Sequence, residues 1–391
     1  MVNAELERRN AVGRYLRGER ANAICRALGR TRAWLYRWLR RYDPTNSAWA
    51  QSRSHAPRAV TTQTPAGVAR VVCDVRQRLV TTKYAQKGAC AIQWQLQQLG
   101  VEPLPAIWTI NRILKRHGLL VKPTATPRGT PYPAPASPYP NDVHQLDLVG
   151  PRSLTGGERF YGVHLIDAFS NAVALEAVPS KHAAVLVEAV VAAWQRLGLP
   201  RVLQMDNELS FRGSNRYPRS FGLLIRLCLY LGVEPCFIPT GEPWRNGIIE
   251  RFNDVYDKLF FRSQPFRDRE HLRSELPRFE RFHNTQHRYA KLGQRVPWDV
   301  HAAARRRLLP ERFTRHRHGL PWREGRLSFI RLTDAHGVVR FFRERFVVDP
   351  TLVHEYVTGT IDTQPGLLTF THQGRLVKVY KHPVTKTSHD R

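Results

Sequence analysis

Apolar positions change their spacing along the chain, and each change marks a different kind of structure. Between Ala21 and Leu39 they recur every three or four residues, with Ile24 and Leu28 before a turn at Gly29 and Leu35 and Trp38 after it. That spacing predicts two crossing helices, with small Cys25 at the crossing and Thr31 as the cap of the second. A stretch rich in Ser, Pro and Thr follows, from Thr45 to Pro65. Beyond it Ile92, Leu96 and Leu99 stripe one helix, Gly100–Pro105 breaks it, and Ile107, Ile110 and Leu114 stripe another. Pro123 to Pro140 then holds seven prolines in eighteen residues, which predicts an extended, semi-rigid linker.

From residue 143 the runs become strand-like. Val143–Val149, Phe160–Asp167 and Ala172–Ala177 read as three strands, followed by a helix over Lys181–Leu197. A strand at Val202–Asp206, a helix at Phe221–Leu231, a strand at Glu234–Ile238 and a helix at Asn246–Phe261 complete the segment. Three adjacent strands ahead of the first helix predict a mixed sheet covered by helices rather than an all-parallel one. After an Arg- and His-rich helical span, six short runs between Leu327 and Tyr380 alternate with turns, as in a small all-β barrel or sandwich. The expected divisions are a helix-turn-helix domain at 1–44, a second helical domain at 66–120, a linker at 121–142, an α/β core at 143–300 and a β-barrel at 322–391.

Charge sharpens this division. The net formal charge is +29 over 391 residues, which implies a polyanionic partner, nucleic acid before any other. Residues 1–120 carry 21 Lys+Arg against 6 Asp+Glu, residues 144–260 carry 12 against 12, and residues 261–391 carry 26 against 13. A neutral centre between basic flanks suits a core that needs its carboxylates for metal and is held on DNA from both sides. The five cysteines are scattered and form no C-x-x-C pair, so neither disulfides nor a zinc ribbon is expected and a reducing cytoplasm fits. No apolar run is long enough for a membrane span, and no signal-peptide apolar region opens the chain.

Within the neutral centre three acids stand out: Asp147 in the first strand, Asp206 closing the fourth and Glu250 early in a helix. Carboxylates at strand ends and on a neighbouring helix can converge on divalent cations although far apart in sequence. Any one alone is more often a turn or cap residue. Together with their surroundings they carry a resemblance. His144-Gln-Leu-Asp147, Leu165-Ile-Asp-Ala-Phe-Ser170, Gln204-Met-Asp-Asn207 and Glu242-Pro-Trp-Arg-Asn-Gly-Ile-Ile-Glu-Arg-Phe-Asn253 resemble the DDE transposases and integrases with a retroviral-integrase-like core, in particular bacterial insertion-sequence transposases.

The resemblance implies an RNase H-like core in which Asp147, Asp206 and Glu250 are both the catalytic residues and the ligands of two Mg²⁺ ions, with Mn²⁺ able to substitute. Asp147 would bridge both ions, with Asp206 completing one site and Glu250 the other. It implies a DDE-type polynucleotidyl transferase acting on double-stranded DNA, both element ends and target. A homo-oligomer on DNA and a bacterial, nucleoid-associated, cytoplasmic location without membrane follow. Two features depart from the family: Glu208 stands where a Gly is usual, and the stretch from Asp206 to Glu250 is longer, with an insertion around Arg212–Phe221.

For DNA contacts, Arg30, Thr31, Arg32, Tyr36 and Arg37 are expected on the outward side of the helix-turn-helix, and Arg112 and Lys115 on the second helical unit. That second unit reads equally well as a packing hairpin. Lys258, two helical turns after Glu250, is expected to hold a phosphate, or else to lie on a solvated face. Asp167 is read as a strand-end packing group and Glu208 as a solvated turn acid or decoy ligand. His144 is read as a support of Asp147 or a sheet-edge histidine, and Asn246 as the cap of the Glu250 helix, with Trp244 positioning its entry. The leading expectation is a transposase that binds the ends of its own element and cuts and joins strands. A catalytically silent DNA-binding regulator and a plain RNase H-like nuclease are the alternatives.

Overall fold

The computed structural model describes residues 2–52, 64–120, 131–213, 219–309, 313, 320 and 322–385. It divides into two compact units, Met1–Thr64 and Pro65–Arg391. In the first, α1 (Val2–Leu16), α2 (Ala21–Leu28) and α3 (Arg32–Arg41) enclose a small core of Ala11, Ile24, Cys25 and Leu35. Gly29 ends α2 in the left-handed conformation, which a Cβ would strain, and Thr31 accepts from the Trp34 amide at 3.3 Å to cap α3. Helix α1 was not legible because its sequence is mostly polar and few of its positions, Ala11 and Val12 among them, are fully buried.

The second unit opens with α4 (Ala66–Thr81), α5 (Ala89–Gln98) and α6 (Ile107–Arg116), packed through Val72, Val75, Ile92, Leu96, Ile110 and Leu114. Leu99, expected on that stripe, is exposed because α5 ends one residue earlier. This bundle leans on the rest of the unit: Tyr84 is buried among Phe260, Phe279 and Phe282, and His287 Nε2 donates to the Tyr84 carbonyl at 2.7 Å. Residues 121–130 of the expected linker lie outside the described residues. The rest runs without regular structure into β1.

A nine-stranded mixed sheet forms the backbone of the unit. Strands β1 (Val143–Ser153), β2 (Arg159–Asp167) and β3 (Val173–Val178) are antiparallel neighbours. On the other side of β1 run β4 (Val202–Met205) and β5 (Glu234–Phe237), both parallel. Helices α7 (Ala183–Leu197), α8 (Leu209–Arg212) and α9 (Leu223–Tyr230) cover one face. The other is covered by α10 (Gly247–Tyr256), a π-helical turn (Asp257–Phe261) and α11 (Arg269–Gln286); α12 (Pro297–Ala302) follows. The open edge of β3 is closed by side chains: Asn284 pairs with both the N–H and C=O of Val173 at 2.9 Å, and Glu280 accepts from the Leu175 amide at 2.8 Å.

The tail strands are present as expected: β6 (Arg326–Leu332), β7 (Val338–Phe341), β8 (Glu344–Val347), β9 (Tyr356–Asp362), β10 (Leu367–His372) and β11 (Arg375–Lys381). They are not a body apart from the core. Strand β6 pairs in parallel with β5 through Cys236↔Ser328 and Phe237↔Phe329, and β9, β10 and β11 continue the same sheet. Phe329, Val357 and Phe370 share one apolar core with Leu146 and Trp194. The sequence signalled the strands but not this junction, because two paired residues leave no mark in a pattern of alternation. The insertion after Asp206 is pinched at its base, where a Cβ on Gly213 would meet the Gly222 amide at 2.6 Å, so its length does not disturb β4 or α9.

Asp167 is a packing group, as read, and a demanding one. It is wholly buried, accepting from the Asn141 amide and from the amide and hydroxyl of Ser170, each at 2.6 Å. Burial pushes its carboxyl up, but His301, His144 and Ser170 outweigh this and hold it down at about 2. His144 lies beside it at 3.6 Å, on the face away from Asp147, so it belongs to this network. Because the folded value lies below the ordinary 3.8, the stabilisation is present above that pH and lost as pH falls through about 2. Asp167→Asn is therefore expected to cost about 3 kcal/mol at neutral pH in urea unfolding. A wild-type midpoint in that variant would contradict this assignment.

Candidate active site

The register of two parallel strands brings the acids together. Gln145 on β1 lies beside Gln204 on β4, so continuing each strand by two residues puts Asp147 beside Asp206 on the same face. The two glutamines occupy that face as well and seize the helix that crosses it. Gln145 Oε1 accepts from the amides of Ile248 and Ile249 at 3.2 and 3.0 Å, supplying acceptors that the first turn of α10 lacks. Gln204 Nε2 donates to Asn246 Oδ1 and to the Arg245 carbonyl, both at 3.1 Å, and Asn246 Nδ2 donates to the Leu146 carbonyl at 3.0 Å. Asn246 makes no side-chain cap bond, contrary to expectation. It is a buried bolt between helix and sheet, and Gln145 does the capping. Trp244 is 59% exposed, so the helix entry is tied by Arg245 instead.

Glu250 therefore stands in the first turn of α10, where the helix dipole favours an anion. It is half-buried, with no hydrogen-bond or ion-pair partner among the described residues. Three residues on, Asn253 Nδ2 donates to Asp147 Oδ2 at 2.5 Å. Asn253 Oδ1 faces His164 Nδ1 at 2.8 Å, and His164 stands opposite Asp147 in the β1–β2 register. Burial holds the His164 imidazole down near 4, so the ring is neutral and can donate to Asn253, fixing which way that amide points.

Electrostatics tie the acids further. Burial pushes the Asp147 carboxyl above its usual range and Glu250 adds to it, against hydrogen bonds from Asn253 and the Leu148 amide. Burial likewise raises Asp206, helped by Asp147 and Glu208, against a 3.0 Å hydrogen bond from the Glu208 amide. Asp147 thus feels an acid on each side. Among the described residues no three His, Cys, Asp or Glu side chains are already closed into a ligand group. The donor set nonetheless suits a hard divalent ion: it is all oxygen, two members repel each other in partial burial, and Glu250 is untethered.

The remaining expected residues lie elsewhere. Glu208 is paired with Lys181 at 3.1 Å, on the surface. Lys258 is exposed and paired with Asp254 at 2.6 Å rather than turned toward the acids. Arg32, Tyr36 and Arg37 are exposed on α3, whereas Arg30 is held by Glu7 in a two-point pair at 2.9 and 3.1 Å. Arg112 and Lys115 are exposed on α6, the former over the Trp108 ring at 4.9 Å. Sequence reasoning missed Gln145, Gln204, Asn253 and His164. A signal was there: Gln-x-Asp occurs in both strands, and a step of two keeps a side chain on the same face.

The ionised pair carries a cost that metal-free protein should reveal. With folded values raised above 3.8, the acids' favourable contribution is complete below that pH and lost as pH rises through the raised values. In EDTA, Asp147→Asn and Asp206→Asn should each unfold at higher urea than wild type at pH 7, with the advantage shrinking toward pH ~4. Variants no more stable than wild type at pH 7 would show that the two carboxylates do not repel.

Residues 231–297, which include Glu250, match the family model of the integrase core domain, and residues 3–46 match a homeodomain-like domain. Among similar solved structures is the HTLV-2 integrase catalytic core domain in complex with magnesium, at 17% identity over 42% of this chain and 99% of that one, with a TM-score of 0.33. Another is the simian T-cell lymphotropic virus intasome in complex with the PP2A regulatory subunit B56 gamma, at 14% identity over 74% of this chain and 95% of that one, with a TM-score of 0.39. A third is the catalytic core domain of BIV integrase, at 17% identity over 41% and 94%, with a TM-score of 0.31. In sequence order, then, the chain carries a match to a homeodomain-like domain at residues 3–46 and a match to an integrase core domain at residues 231–297.

Proposed function

We propose that the protein binds the ends of its mobile element and carries out metal-dependent cleavage and joining of DNA strands, with Asp147, Asp206 and Glu250 as the catalytic carboxylates. The observation that carries this reading is the register: Gln145 beside Gln204 sets Asp147 beside Asp206, under the helix that bears Glu250. Asp147, with an acid on either side, would hold the Mg²⁺ together with Asp206 and Glu250. When bound, such ions relieve the charge that builds on a phosphodiester under attack and activate the attacking oxygen. Asn253 keeps one Asp147 oxygen oriented, and Glu250 is free to swing into the ligand shell. Water attacking the phosphodiester would break its P–O3′ bond, leaving a 3′ hydroxyl and a 5′ phosphate. That hydroxyl could then attack a target phosphodiester in the same site, forming the new P–O bond as the target strand's 3′ oxygen leaves.

DNA recognition we assign to the homeodomain-like unit, through Arg32, Tyr36 and Arg37 on the exposed side of α3. Arg112, Lys115 and Lys258 would add phosphate contacts, with Arg30 and Thr31 supporting the helix rather than reading bases. Joining two element ends implies more than one copy on the DNA. No helix among the described residues is long and apolar enough to cross a membrane.

The test is strand transfer with Mg²⁺ or Mn²⁺ on DNA carrying the element ends, beside Asp147→Asn, Asp206→Asn and Glu250→Gln. Joining by wild type is expected to fall at least about 10³-fold in each variant, with end binding intact. Binding without joining by wild type would instead identify a silent regulator. Cleavage of unrelated duplexes or hybrids would identify a general nuclease.

A further inference from the structure

The tail strands do more than extend the sheet. Arg331 on β6 is 8% exposed, and no carboxylate among the described residues pairs with its guanidinium. Its partners are neutral oxygens: Asn207 Oδ1 at 2.6 Å, the Ile330 and Ile238 carbonyls at 2.7 and 2.8 Å, and the Arg340 carbonyl at 3.3 Å. The rings of Phe329 and Phe341 lie 5.5 and 5.1 Å from it. Burial pulls it down to about 10. A buried cation without a counter-ion is an expensive choice on a strand whose neighbours Leu327 and Phe329 are apolar. What the fork obtains is a grip on Asn207, whose Nδ2 also donates to the Ile238 carbonyl at 2.7 Å. Both ends of that amide are held, and the residue before it is Asp206.

A second grip comes from β9. The Tyr356 hydroxyl donates to Glu242 Oε2 at 2.7 Å and accepts from Arg245 Nη2 at 2.7 Å, while Arg245 Nε donates to the same Glu242 oxygen at 2.9 Å. Tyr132 packs edge-on against Tyr356, with the Arg245 guanidinium 4.3 Å from the Tyr132 ring. This triangle closes the turn Pro243–Asn246, from which α10 starts and carries Glu250. Both grips lie past the last paired residues of β5 and β6, where backbone hydrogen bonds no longer join tail to core.

Resting on the metal-site reading above, we propose that the carboxy-terminal strands are a positioning part of that site. Arg331 sets the Asp206 backbone through Asn207, and Tyr356 sets the start of the helix that carries Glu250 through Glu242 and Arg245, so the tail holds the backbone beneath two acids at once.

Full-length protein carrying Asn207→Ala, Tyr356→Phe or Arg331→Lys tests this by direct Mn²⁺ binding, followed from the free-ion electron paramagnetic resonance signal, with metal-free melting measured in parallel. Tyr356→Phe should weaken Mn²⁺ binding about tenfold with metal-free melting unchanged. Asn207→Ala should weaken it about tenfold at a temperature where the variant is fully folded, although its melting temperature falls because Arg331 loses an acceptor. The two together should weaken it about a hundredfold. Arg331→Lys keeps the charge but loses the fork, and should behave like Asn207→Ala. Wild-type affinity in Asn207→Ala and Tyr356→Phe, measured where both are fully folded, would overturn the clamps. The Asp147→Asn control separates the two ideas. If it binds Mn²⁺ as wild type does, the metal-site reading falls and this inference with it. If it loses binding while the clamp variants keep theirs, only the clamps fall.

Discussion

Everything at the proposed site depends on how the amino end of one helix is held against a sheet. The free amides of α10 are satisfied by a side chain from β1, and the residue preceding the helix is bolted to β4 and to the β1 backbone. These are buried polar contacts between neutral amides, costly to leave unmade and directional when made. Because Gln145 and Gln204 sit two residues before Asp147 and Asp206, the same strands that hold the helix present the acids. Position and chemistry are thus coupled by the pleat of the sheet: a slip of one residue would turn glutamines and acids together to the wrong face.

The buried and half-buried acids divide by what surrounds them. Asp167 is surrounded by donors and is held well below the ordinary carboxylate value, so its charge stabilises the fold. Asp147 and Asp206 have fewer donors and face one another, and both are raised. The same residue type, in one sheet, is a structural ion on one face and an unrelieved charge on the other. Unrelieved charge held in place is what a cation site requires, and a stability cost at such a site is the usual trade against function.

Much of this was legible in the sequence, and the reasons are specific. Strands and helices of the core announced themselves because their apolar runs are long and bounded by turn residues, as at Val202–Met205 and Ala183–Leu197. The three acids were legible from their placement at strand ends and from the Asn246–Asn253 run. What stayed hidden was pairing across distance. Asn253 and His164 meet only because α10 crosses β1 and β2, and Arg331 reads in sequence as one more arginine of a basic chain. Asn246 looked like a cap because Asn before a helix usually is one, but Gln145 already fills that role here. Helix α1 and the β5–β6 junction escaped because a narrow apolar stripe and a two-residue ladder leave almost no pattern.

The central claim is that Asp147, Asp206 and Glu250 form one cradle for divalent ions. Anomalous diffraction at the manganese edge, from crystals of the full chain grown with Mn²⁺, tests it most directly. The account predicts metal density between Asp147 and Asp206, with a Glu250 oxygen swung to about 2.1–2.2 Å of an ion. Metal bound elsewhere, or Glu250 still turned away from an ion held by the two aspartates, would contradict it.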